Sequence, residues 1–104
     1  MKNGEISENT VGRYGGGVYT DYFYTTIGGF SDYYGTFRIG GGVIYGNNAV
    51  SGIKNTANNG VALYRNSTSV AQYGTFNEDT FYKSGDLSTT DITIRVVNGN
   101  LLTE

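Results

Sequence analysis

"YGTF", residues 34–37, returns letter for letter at 73–76. Two other stretches recur around it in the same order. "GEISENT" at 4–10 matches "GVIYGNN" at 42–48, and "GGVYT" at 16–20 matches "VALYR" at 61–65. The alignments set Ile6 over Ile44, Asn9 over Asn47, Val18 over Leu63 and Tyr19 over Tyr64. The offsets are 38, 45 and 39 residues (4 to 42, 16 to 61, 34 to 73), so the period is loose and loops of unequal length separate the blocks. A short unit of this kind cannot bury its apolar face alone; stacking on a neighbour gives it a continuous core.

Each block reads as a short strand. Alternation puts Ile6, Val18, Phe37, Ile39, Ile44, Leu63 and Phe76 on one face, and Tyr19, Arg38, Tyr45 and Arg65 on the other. Gly, Asn and Thr interrupt every window in which a helical period begins. "NAVSGIKNTANNG" at 48–60 offers at most one turn through Val50, Ile53 and Ala57, and is read as a loop. Three strands per pass predict an all-β fold: a right-handed parallel β-helix fragment of about two coils over residues 1–89. Asn9 and Asn47 are expected to stack at a corner and satisfy turn backbone groups. "TTDITIRVVNGNLLTE", 89–104, alternates Ile92, Ile94 and Val96 with Thr93, Arg95 and Val97 before Asn98-Gly99, a two-residue hairpin signal. Residues 90–104 are therefore expected to form a terminal strand and hairpin cap.

Between the second and third blocks of the first pass, "DYFYTTI" at 21–27 and "FSDYYGTF" at 30–37 flank Gly28-Gly29. Aromatic runs around Gly-Gly predict a β-hairpin, residues 22–34, leaving the body of the protein. Its rings admit two roles. Tyr has high strand propensity and cross-strand aromatic pairs hold a hairpin together. Tyr also offers a large contact area and a polar tip at little entropic cost, as recognition surfaces require. If the chain binds a ligand, Tyr22, Tyr24, Tyr33 and Tyr34 are expected to make the contact. Asp21 or Asp32 would orient a hydroxyl or a basic group of the partner.

Composition narrows the function. Seven basic against nine acidic residues leave a net charge of -2, with no footprint for nucleic acid. No apolar run is long enough to span a membrane. The chain has no His and no Cys, so it lacks the commonest general base, thiolate nucleophiles and the usual metal ligands. Pro is absent too, which suits uninterrupted strand ladders. Glu78, Asp79, Asp86 and Asp91 do not follow a calcium-loop spacing and read as turn residues. Gly40, Gly42 and Gly46 only loosely echo a dinucleotide-binding loop, because another strand follows them instead of a helix. No catalytic residue, metal or cofactor is expected. "MKNGEISENT" has no apolar h-region and does not read as a signal peptide. Two coils with open edges are expected to associate end to end unless 90–103 covers one end.

Over residues 3–76, "GEISENTVGRYGGGVYTD" (4–21) and "GTFRIGGGVIYGNNA" (35–49) resemble degenerate repeats of bacterial surface proteins. These include spirochaete-type and autotransporter-like adhesins with the pectate-lyase-like β-helix fold. The resemblance implies a non-catalytic stalk or adhesive surface outside the cell, with a glycan or a host or matrix protein as partner. A carbohydrate-binding or carbohydrate-active β-helix is the alternative reading, and a phage fibre or tail segment a third.

Overall fold

The computed structural model describes residues 1–20, 22–26, 30–34, 36–66 and 69–102, with the backbone alone for 22–26 and 30–34. The described residues form short strands joined by turns. The first pass supplies β1 (Glu5–Ile6), β2 (Val18–Thr20), β3 (Tyr22–Thr26), β4 (Phe30–Tyr34) and β5 (Thr36–Ile39). The second supplies β6 (Gly42–Ile44), β7 (Leu63–Arg65) and β8 (Val70–Asn77). Three more strands complete the chain: β9 (Thr80–Asp86), β10 (Ile94–Val97) and β11 (Asn100–Leu102).

The two passes lie side by side. β1 pairs in parallel with β6, Ile6 opposite Ile44, and β2 with β7, Val18 opposite Leu63 and Tyr19 opposite Tyr64. Single parallel bridges join Thr10 to Thr56 and Tyr14 to Asn59. β5 pairs in parallel with β8, but Phe37 stands opposite Ala71 and Ile39 opposite Tyr73. The recurring "YGTF" blocks are therefore slipped past one another. Burial explains the slip: Ile39 is fully buried and Ala71 nearly so, whereas Phe76 is used elsewhere, packed on Phe81 with ring centroids 4.9 Å apart.

The expectation of a right-handed parallel β-helix is overturned. The strands form four separate sheets in the orders β1-β6-β10-β11, β2-β7, β3-β4 and β5-β8-β9, with no closed or solenoid sheet among the described residues. Where a further parallel rung would lie, the chain runs back. β10 is antiparallel to β6, β9 is antiparallel to β8, and Thr90 bridges antiparallel to Leu63. Tight turns reverse the chain between β8 and β9 and again between β10 and β11. Glu78 takes φ 56° between β8 and β9, and Asn98 and Gly99 take φ 51° and 79° between β10 and β11. Two-residue loops connect antiparallel strands only, whereas a parallel rung needs a long crossover.

The hairpin expected at 22–34 is present as an antiparallel β3–β4 pair; residues 27–29 between its strands lie outside the described residues. The hairpin expected near the C-terminal end is β10–β11. The core gathers Ile39, Ile44, Ala62, Leu63, Ala71, Leu87, Ile94 and Val96, with Ile6, Val18 and Phe37 packed against it. Phe76, read as a core residue, stands apart from that cluster. Ile92 is exposed and Thr93 is buried, because the strand begins only at Ile94. Thr93 is held by polar contacts: its hydroxyl donates to Asn48 Oδ1 at 2.7 Å and accepts from the Gly46 N–H at 2.9 Å.

Asn9 and Asn47 do not form the expected stack. A third asparagine, Asn55, fully buried, takes the corner. Its Nδ2 donates to the carbonyls of Ile6 (3.0 Å) and Tyr45 (2.7 Å). Its Oδ1 accepts from Asn9 N (2.9 Å) and Asn9 Nδ2 (3.1 Å). One amide thus uses all four of its bonding positions, three of them to join the two passes and one to hold Tyr45 of its own. Asn47 instead donates its backbone N–H to the Asp91 carbonyl.

Candidate functional site: a tyrosine ledge on β2 and β7

Strand alternation on β2 and β7 sends Val18 and Leu63 toward the core and Tyr19 and Tyr64 outward. Thr20 turns back inward, where its hydroxyl lies 2.8 Å from Ser69 Oγ. A glycine precedes each tyrosine by four residues. Gly15 and Gly60 both adopt left-handed backbone, φ 70° and 63°, and a Cβ at either would press on the Cβ of Tyr19 or Tyr64, at 2.8 and 2.7 Å. Each glycine therefore fixes the approach of its strand and packs close under its tyrosine.

A third ring joins from the loop before β2. Tyr14 stacks on Tyr64 with centroids 4.5 Å apart and planes 19° from parallel; Tyr19 stacks on the same ring at 5.5 Å and 8°. Tyr14 and Tyr19 remain 39% and 47% exposed, so the stack is a ledge on the outside of the molecule. The Arg13 guanidinium lies 5.4 Å from the Tyr14 centroid and extends the ledge with a positive charge. Rings held in one orientation by their neighbours present flat apolar edges and hydroxyls without first having to be ordered. Such a surface can hydrogen-bond the hydroxyls of a sugar and pack its ring edges against the sugar's carbon–hydrogen groups.

The residues singled out from the sequence fall on the other aromatic element. In the β3–β4 ladder Tyr22 is opposite Tyr34, Phe23 opposite Tyr33, and Tyr24 opposite Asp32, so Tyr22, Tyr24, Asp32, Tyr33 and Tyr34 share one two-stranded ribbon. Asp21, and the side chains of the other five, lie outside the described residues. Tyr14 was missed by reading alternation alone. The signal that finds it is the offset of 45: extended back from Tyr19 and Tyr64, it sets Tyr14 opposite Asn59, where the bridge is observed.

Elsewhere the polar groups have structural partners. Asp91 Oδ1 accepts the Val61 N–H at 3.0 Å, and Asp86 faces Lys83 at 3.3 Å on the surface. Glu78 and Asp79 form the β8–β9 turn. Among the described residues no three acidic side chains come together as a metal site. Gly40, Gly41 and Gly42 line an open groove of about 430 Å³ with Lys2 and Arg95, and a Cβ at Gly41 would meet the Lys2 carbonyl at 2.7 Å. These glycines admit residues 1–4 alongside. The Met1 ammonium donates to the Arg38 carbonyl at 2.6 Å; burial, and then Lys2, hold it below its ordinary pKa of 8.0.

No protein-family model matches the chain, no curated protein matches it, and no solved structure matches its fold. Among the described residues no helix is long and apolar enough to cross a membrane.

Proposed function

We propose that this chain is a non-catalytic adhesive module, part of a surface protein working outside the cell, and that it engages glycan through the Tyr14–Tyr64–Tyr19 ledge. The observation that carries the reading is the stack itself: three rings within 19° of one orientation, two of them well exposed. Two further points support it. The sequence has no His or Cys to serve as nucleophile or base, and its repeats resemble those of bacterial surface proteins. The β3–β4 ribbon is a second place for the same chemistry, because its register sets Tyr22 against Tyr34 and Phe23 against Tyr33.

A glycan array probed with the purified chain tests the reading. Binding is expected, and Tyr14→Ala with Tyr19→Ala should remove it while the protein stays folded. Binding that survives this change but is lost with Tyr22→Ala and Tyr24→Ala moves the site to the ribbon. Absence of any glycan signal, or release of cleaved products from a polysaccharide panel, overturns the proposal.

A further inference from the structure

The four-stranded sheet ends in β1 on one side and β11 on the other, and the three-stranded sheet ends in β5 and β9. An unpaired edge is a template for another strand, and proteins commonly blunt it with charge. β1 carries Glu5, β5 carries Arg38, and β9 carries Lys83 and Asp86. β11 is different. Residues 98–102, Asn-Gly-Asn-Leu-Leu, hold no charge, and Leu101 and Leu102 are 41% and 43% exposed. Beside this edge lies an open cleft of about 440 Å³ whose wall includes Leu87, Ile92, Ile94, Leu101 and Leu102. Ile92, too, is 45% exposed.

We infer that β11 is a self-association edge, and that its occupant is β11 of a second copy, paired antiparallel about a two-fold axis. Three features select that partner. A two-fold pairing brings the residue on the axis against its own kind, which an uncharged side chain tolerates and a charged one does not. Full overlap of a three-residue strand sets Leu101 on the axis, opposite Leu101 of the second copy, and Asn100 opposite Leu102. The same step extends the four-stranded sheet to eight strands and covers Leu101, Leu102 and Ile92, which water now reaches. The C-terminal hairpin would thus cover the second pass and present a new edge in its place.

Sedimentation velocity over a range of concentrations tests this directly. The unaltered chain should move from monomer to dimer as concentration rises. Leu101→Lys places two ammonium groups face to face and should weaken dimerisation by at least about tenfold. Leu102→Lys, which faces Asn100 of the second copy, should weaken it less, and the melting temperature of each monomer shows that the fold persists. Val50→Lys, at a site 71% exposed in the 45–62 loop, should leave the dimer intact. Because the chain has no cysteine, Leu101→Cys should oxidise to a disulfide-linked dimer. A monomer at every concentration, or a dimer that both lysine variants leave unchanged, overturns the inference.

Discussion

In the β2–β7 ladder a left-handed glycine stands four residues before each of two facing tyrosines, and the rings stack on the outside. In the β5–β8 ladder the facing residues are unlike: Phe37 meets Ala71 and Ile39 meets Tyr73. The first ladder is set by backbone geometry, since each strand enters through the same turn and arrives at the same height. The second is set by volume at Phe37, whose ring faces the small Ala71 over the shared core. β8 also continues beyond the ladder, through an irregularity at Tyr73/Gly74, into the hairpin with β9. A strand with partners on both sides takes a compromise register, whereas one held by a fixed turn does not.

Cross-linking should separate the two ladders without ambiguity. Tyr19→Cys with Tyr64→Cys, and Arg38→Cys with Gln72→Cys, place thiols on facing residues and should each close a disulfide on oxidation. Arg38→Cys with Asn77→Cys is the pair that alignment of the two "YGTF" blocks requires, and it should stay reduced. Efficient closure of that last pair, seen as a gel shift, would restore the aligned register and remove the contrast between the ladders.

Asn55→Leu should cause the largest loss of stability. It leaves the partly buried Ile6 and Tyr45 carbonyls without their donor and the Asn9 N–H groups without their acceptor, at about 3 kcal/mol in urea melts. Gly60→Ala follows, at about 2 kcal/mol, because alanine must adopt left-handed backbone while its methyl presses on Tyr64. Gly52→Ala is the matched control: a Cβ there meets nothing within 4 Å, so its effect should stay within about 0.5 kcal/mol. If both glycine variants melt alike, the turn does not hold the first ladder. At the small end, Asp86→Ala breaks only the exposed contact to Lys83 on β9 and should change stability by less than about 1 kcal/mol.

The parallel meeting of the passes was legible because the same apolar and glycine positions recur, and Ile6–Ile44, Val18–Leu63 and Tyr19–Tyr64 face each other as aligned. The overall architecture was not, because repetition says which segments can pair but not how the chain leaves the last of them. Glu78 and Asp79 read as turn residues, but "NED" does not say that the turn has only two residues, with Glu78 held at φ 56°, and so sends β9 straight back along β8. Asn98-Gly99 was readable for the opposite reason, since both residues accept left-handed backbone. The ledge was half legible. Alternation gave Tyr19 and Tyr64 their outward face, while Tyr14 reaches the stack from a loop that has no alternation to read. Asn55 was hidden among other asparagines, distinguished from them only by burial.

The parallel ladders also impose an order in time. Ile6 waits for Ile44, Val18 for Leu63 and Ile39 for Tyr73, so the outer strands of the first pass have no partner when they leave the ribosome. At about 5–20 residues per second, the 38 residues from Ile6 to Ile44 alone take roughly 2–8 s to make. The β3–β4 hairpin closes on its own residues and needs only about 1–10 μs. The aromatic ribbon therefore takes shape first, on a chain whose neighbouring strands are still open to any passing edge. The remainder of the sheet structure must wait until the second pass has been synthesised.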